Sequence, residues 1–154
     1  MPGWSVTTTT ATLVASTAVS AIELRTGALP IKIVKWWADF NSATSTDKPV
    51  LVQAGRFSAA VTTNTAATPA AMSYLGAETG AQTAAGVNAT TEGAGTAAAQ
   101  TEAHNVAPQG GLYAAWETDD TALWVPPNSF WRLRITPGSA ITATTANCGV
   151  VWVE

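Results

Sequence analysis

The chain has 154 residues, a formal net charge of −3 and 11% charged residues, whereas typical soluble domains carry roughly 25%. This length suits one domain, 1–154, with a sizeable core, and the acidic balance argues against a nucleic-acid partner because phosphate binding needs a basic patch. The 31 Ala and 25 Thr fill positions that charges usually occupy, so we expect neighbouring subunits to cover much of the surface. A plain compositional bias is the alternative explanation.

The N-terminal third is predicted to be extended. Residues 1–10 (MPGWSVTTTT) are expected to form an arm with one aromatic anchor, Trp4, that docks on its own domain or on a neighbour. Short strands are predicted at 12–16 and 21–26, and the second shows apolar residues alternating with charged ones. No segment approaches the ~18 apolar residues of a membrane helix, so no membrane partner is expected.

The segment 31–40 (IKIVKWWADF) has the densest run of β-branched and aromatic residues, which favour a strand. Strict alternation would put Ile31, Ile33 and Trp37 on one face and the set around Trp36 and Phe40 on the other. Both faces would then be mostly apolar, which predicts an inner strand or one that meets another chain. The next strand, 50–57, is expected to pair with it as a hairpin.

Residues 58–100 form a low-complexity excursion within the domain, composed mainly of Ala, Thr and Gly. The few bulky residues include Met72 and Leu75, where a short strand is possible. This composition buries too little apolar area to offset an ordering entropy of about 1–2 kcal/mol per residue. We therefore expect a long surface loop that neighbouring subunits hold in place.

Strand signals return after residue 100, at 101–106, 112–116, 121–125, 130–136, 140–145 and 148–153. The segment 130–136 (FWRLRIT) alternates most cleanly, with Trp131, Leu133 and Ile135 predicted inward and Arg132 and Arg134 outward. Gly and Pro punctuate these strands, and no long helix is expected. The sequence predicts an all-β fold: a jelly-roll-like β-sandwich of about eight to ten short strands.

Catalytic chemistry has little support in the sequence. His104 is the single histidine, and with Glu102 two residues away it more simply predicts a hydrogen-bonded strand residue than a base. Cys148 lies in an apolar run, which predicts a buried, inert thiol. The acidic turn of Glu117, Asp119 and Asp120 lacks a calcium-loop pattern. No catalytic residue, metal or cofactor is predicted.

Seven tryptophans are more than a domain of this size is expected to bury, and about four should fit inside. The rest, with Trp4 and one of Trp36 or Trp37 as candidates, are predicted to anchor subunit interfaces, where Trp is enriched. The outward arginines of the 130–136 strand add possible partners for acidic groups. The candidate interface residues are Trp4, Trp36, Phe40, Arg132 and Arg134.

Three segments carry a family resemblance: EAHNVAPQGG at 102–111, VPPNSFWRLRIT at 125–136 and the ending VVWVE at 150–154. With the Ala/Thr-rich strands, they resemble small decoration, or cement, proteins of tailed-bacteriophage capsids. The resemblance implies a compact β-domain, most often a homotrimer at three-fold or quasi-three-fold positions, that clamps adjacent capsomers.

The expected function is therefore a non-enzymatic structural virion protein, made in the host cytoplasm and located on the outer surface of the capsid. Its partners would be the major capsid protein and copies of itself, without nucleic acid. The principal alternative is a carbohydrate- or receptor-binding head-fibre or tail accessory domain. A cupin-type enzyme is a weaker alternative, because cupin metals need several histidines and this chain has one.

Overall fold

The structure, a computed structural model, describes residues 2–42, 44–72, 80–98, 101–115, 123–143 and 145–154. These residues form twelve strands in two antiparallel sheets that make a β-sandwich, which confirms the predicted fold class. None of the described segments is a helix long and apolar enough to span a membrane. In chain order the strands are β1 (Gly3–Thr12), β2 (Val19–Arg25), β3 (Ile31–Phe40), β4 (Val50–Phe57), β5 (Thr63–Ala67), β6 (Ala70–Ala71), β7 (Ala84–Thr91), β8 (Glu102–Val106), β9 (Gly111–Ala115), β10 (Leu123–Val125), β11 (Phe130–Thr136) and β12 (Thr145–Val153).

Neighbouring strands along the chain often belong to opposite sheets. The first sheet has the order β10-β3-β12-β1-β6, and β9 also pairs with β3 beside β10; we call it sheet A. The second, sheet C, has the order β5-β7-β2-β11-β4-β8. The predicted hairpin of β3 with β4 is therefore wrong, because their connection crosses from one sheet to the other.

The N-terminal segment is an integral strand. β1 pairs along its length with β12, from Gly3 opposite Val153 to Thr12 opposite Thr145. The predicted arm thus docks on its own domain, and the separate strand predicted at 12–16 is absent from the structure. The strand predicted at 148–153 is part of β12, which begins at Thr145, whereas residues 140–143 of the strand predicted at 140–145 are not in a strand.

A β-bulge in β3 changes which residues face the core. Lys35 lies opposite Val151 but Ile33 lies opposite Trp152, so Val34 is an extra residue in β3. An extra residue reverses the alternation beyond it. Ile31 and Ile33 consequently join Trp36, Ala38 and Phe40 in the core, and Trp37 faces outward. The strict alternation predicted for this strand is wrong at that point.

The core lies between the two sheets and contains four of the described tryptophans: Trp4, Trp36, Trp131 and Trp152. This number agrees with the predicted capacity of the sandwich. Each indole buries about 150–250 Å², so together they supply much of its apolar area. Trp116 lies outside the described residues.

The 58–100 excursion is more structured than predicted. It contributes β5, β6 and β7, and β7 pairs with β2 from Ile22–Val87 to Arg25–Ala84. Ala and Thr give little apolar signal, but a strand of small residues still forms where a neighbouring strand satisfies its backbone groups. The strand considered at 72–75 falls mostly on residues 73–79, outside the described part.

The segments that flank these strands lie across the outer face of sheet C. Ser58 and Ala98 bond to backbone groups of Thr96 and Arg56, respectively. The Val61 N–H donates to Glu23 Oε2 at 2.6 Å, and the Ala59 carbonyl accepts from Arg132 Nη2. Polar side chains on the outer face of sheet C therefore hold the excursion in place through hydrogen bonds to its backbone.

These contacts centre on a buried group of charges, Glu23, Arg132 and Glu92, with Arg25 at its edge; we call it the charge cluster. Arg132 Nε lies 3.4 Å from Glu23 Oε2, and Arg132 Nη1 lies 3.4 Å from Glu92 Oε2. Arg25 Nε lies 2.5 Å from Glu23 Oε1. Burial lowers the pKa of Arg132, and the charges of Glu23 and Glu92 oppose that shift. Two carboxylates thus stabilise the charge of a guanidinium that water does not reach.

Candidate binding surface

Four of the five predicted interface residues lie inside the domain. Trp4, Trp36 and Phe40 belong to the core between the sheets, so they are packing residues rather than exposed anchors. Arg132 points outward from β11 as predicted, but the 58–100 excursion covers it completely. A side chain that its own domain covers has no surface to offer a partner.

Arg134, the fifth residue, is partly exposed. Its Nη2 donates to Gln53 Oε1 at 2.7 Å, and its guanidinium carbon lies 4.7 Å from the centroid of the Phe57 ring. Arg132 stacks on the same ring at 4.8 Å. Arg134 is thus already held by its own domain, which leaves it a small part in any contact surface.

His104 lies on β8 at an open cleft of about 480 Å³ between the edges of the two sheets. Its Nε2 lies 3.9 Å from Glu102 Oε2, and its ring centroid lies 6.5 Å from that of Trp36. Leu112, Tyr113 and alanines supply much of the remaining lining. Among the described residues of this cleft, none provides a serine, threonine or cysteine nucleophile for the histidine to activate.

Cys148 faces the core on β12. Burial, together with the Asp39 charge, raises the pKa of its thiol to about 12, so the reactive thiolate is scarce at neutral pH. No group of three or more His, Cys, Asp or Glu that could hold a metal ion occurs in the described part of the chain. Glu117, Asp119 and Asp120 lie outside it.

The outer face of sheet A carries aromatic side chains that are exposed or partly exposed to solvent. Trp37 lies flat across Gly149, its partner on β12, where any Cβ would collide with the indole ring. The Lys35 Nζ lies 5.9 Å from the Trp37 ring centroid, within the range of a cation–π contact. Gly149 therefore lets a large aromatic ring lie flat against the sheet.

Two further aromatic residues extend this surface. Tyr113 lies opposite Trp37 and is 62% exposed, and Trp124 lies opposite Lys32 and is 45% exposed. Their strand neighbours Leu112 and Leu123 pack against the core, so both aromatic rings point outward. We call Trp37, Tyr113 and Trp124 the aromatic face.

None of these three was singled out as a defined interface residue from sequence, although Trp37 was one of two alternatives. The alternation in 112–116 does indicate Tyr113, because inward Leu112 and Ala114 leave it outward. Trp124 lies in the predicted strand 121–125, which was not assigned an inward and an outward face. Trp37 depends on the bulge at Val34, which has no clear local signal.

Comparisons with known protein families, curated proteins and solved structures find no match for the chain. The function must therefore be inferred from the aromatic face, the charge cluster and the composition.

Proposed function

We propose that the chain is a non-enzymatic structural virion protein that binds the outer surface of a bacteriophage capsid and bridges adjacent capsomers. The observation that carries this proposal is the aromatic face. Tyr and Trp are enriched at the energetic centres of protein interfaces, because their large rings bury much area at a low entropic cost. On this protein Tyr113 and Trp124 are exposed, and Trp37 is partly exposed, on one side of sheet A.

The strand order gives further support. β1, β12, β3 and β9 in one sheet face β2, β11, β4 and β8 in the other, and the chain crosses repeatedly between the sheets. We interpret this order as a jelly roll, with β5, β6, β7 and β10 as additions. Such a compact domain presents flat sheet faces to a partner.

Assembly into trimers is part of the same proposal. Because the chain carries few charges, copies of it repel one another little when they associate. Three linked copies would bind a three-fold site with far greater avidity than one copy. Many weak contacts repeated over a capsid would stiffen it against internal pressure.

The decisive experiment is binding of the purified protein to undecorated phage heads. We expect saturation at a stoichiometry that matches a symmetric set of capsid positions. Failure to bind heads, or binding without saturation, would contradict the proposal. Light scattering after size-exclusion chromatography of the free protein reports its oligomeric state separately.

Tyr113→Ala and Trp124→Ala test the aromatic face. Each should weaken head binding by at least about 30-fold if the residue is an interface hot spot. Leu29→Ala is the matched control, because Leu29 is 47% exposed but lies in the turn between β2 and β3. Equal losses in all three variants would indicate nonspecific hydrophobic adhesion.

Thiol labelling tests the orientation of the bound protein. Because Cys148 is buried and inert, a maleimide should react selectively with a cysteine introduced on the surface. Capsid binding should protect Thr7→Cys, on the outer face of sheet A, and leave Ser58→Cys, above sheet C, reactive. The reverse pattern would exclude sheet A as the capsid-facing side.

A further inference from the structure

A separate cavity of about 450 Å³ lies between the two sheets, away from the aromatic face. Its walls come from β1 of sheet A, from β5, β7 and the start of β2 in sheet C, and from the connection of β1 to β2. Small-molecule sites typically measure about 300–1,000 Å³, so this volume is sufficient for a ligand.

The lining combines hydroxyl groups with small apolar surfaces. Thr12, Thr65 and Thr90 are exposed lining residues that carry hydroxyl groups, while Val14 and Val19 contribute branched apolar side chains. None of the described residues that line the cavity is charged. A charged ligand would lose hydration there without gaining an opposite charge, whereas hydroxyl groups both donate and accept hydrogen bonds.

The wall on the β7 side is fixed by an unusual backbone. Asn88 has a φ of 53°, a left-handed conformation, and its side chain turns toward β1. Asn88 Oδ1 accepts from the Thr8 hydroxyl at 2.8 Å, and Asn88 Nδ2 donates to Thr10 Oγ1 at 2.9 Å. These bonds tie the two sheets together at the cavity.

The β1–β2 connection on the opposite side has a second such residue. Ser16, with a φ of 56°, is held by bonds from its N–H to the carbonyls of Pro137 and Gly138. Left-handed non-glycine residues are uncommon and concentrate at functional sites. The described part of the chain has three left-handed non-glycine residues, and two of them, Ser16 and Asn88, flank this cavity.

We propose that this cavity is a binding site for a neutral sugar, such as the terminal residue of a surface glycan. The threonine hydroxyls match the mixed donors and acceptors of sugar hydroxyls, and Val14 and Val19 offer apolar surface to the C–H face of the ring. The site is independent of capsid binding, because it is not part of the aromatic face.

Heteronuclear NMR of the isotope-labelled full chain tests the proposal. The probes are the methyl glycosides of glucose, galactose, mannose, rhamnose and N-acetylglucosamine, each titrated to high millimolar concentration. At least one should produce saturable shifts at Thr12, Thr65 and Thr90. Glucuronate and glucosamine, which carry charges, should bind more weakly than their neutral counterparts.

Variants locate the site. Thr65→Val, which removes one hydroxyl at constant shape, should weaken binding roughly two- to tenfold. Ala18→Trp should fill the cavity and abolish binding, and Thr7→Val, on the outer face of sheet A, should leave it unchanged. If Ala18→Trp does not fold, Thr12→Val provides the second test, with the same two- to tenfold expectation.

Three results would overturn the proposal. The first is the absence of saturable shifts with every neutral sugar, and the second is equal binding of the charged sugars. The third is binding that Tyr113→Ala removes and Thr65→Val does not, which would locate the sugar on the aromatic face.

Discussion

Replacement of Arg132 by methionine should strongly destabilise the protein. Methionine keeps much of the apolar stem but removes the guanidinium from Glu23, which is 1% exposed, and from Glu92, whose side chain is 19% exposed. Breaking a buried ion pair by removing one partner costs about 3–5 kcal/mol. Because Arg25 still compensates Glu23, we expect a loss near the lower end, about 3 kcal/mol.

Urea unfolding followed by tryptophan fluorescence measures this loss. Arg134→Met is the matched control, since Arg134 is on the same strand, stacks on the same Phe57 ring and is only partly buried. It should cost less than about 1 kcal/mol. Combining Arg132→Met with Glu23→Gln should cost less than the sum of the single changes, because the double variant no longer buries an uncompensated Glu23 charge.

Hydrogen exchange distinguishes loss of this network from a general loss of stability. The Val61 N–H donates to Glu23, so Arg132→Met should accelerate its exchange more than that of core amides in β12. The reasoning is refuted if Arg132→Met costs no more than Arg134→Met. It is equally refuted if the Val61 amide keeps its protection relative to the core.

Three further predictions concern single positions. Gly149→Ala should displace the Trp37 ring and lower the free energy of unfolding by about 1–3 kcal/mol. If the only effect were that Ala loses less backbone entropy than Gly on folding, the variant would instead be more stable, and the direction of the shift in the urea midpoint distinguishes the two outcomes. Asn88→Ala should be less stable than Asn88→Gly by about 1 kcal/mol in thermal unfolding, because only glycine adopts the left-handed backbone conformation without strain. Equal stability of the two variants would show that this conformation is not strained. Burial alone raises the pKa of Glu154, but hydrogen bonds from Gln82, Thr83 and Trp152 outweigh it and hold the pKa below 4.5. The ionised group therefore stabilises the fold above that pH, and the deficit of Glu154→Gln in urea unfolding should shrink as pH falls below 4.5; a deficit independent of pH would exclude this linkage.

Local sequence patterns predicted the strands that bury large side chains. β3, β4 and β11 have the predicted bounds, because β-branched and aromatic residues with a period of two indicate a strand directly. β5 and β7 were not predicted, because Ala and Thr carry almost no periodic signal. These two strands depend on pairing with each other and with β2, which lies far away in the sequence.

The predicted interface was mostly wrong for a related reason. Alternation along β11 correctly turned Arg132 outward, but outward from a strand is not the same as exposed to solvent. Whether a second layer covers the sheet depends on contacts between distant residues, such as Arg132 with Ala59 and Glu92. Likewise, one extra residue at Val34 decided which of two adjacent tryptophans is buried.

The two outer faces of the sandwich consequently differ in what covers them. The excursion covers part of the outer face of sheet C, where it bonds to the charge cluster. The outer face of sheet A leaves Tyr113 and Trp124 exposed and Trp37 partly exposed. A change in the charge cluster should therefore loosen the excursion without altering the aromatic face. Under conditions where Arg132→Met remains folded, it should bind heads as well as the parent does, whereas Tyr113→Ala should bind poorly while losing little stability.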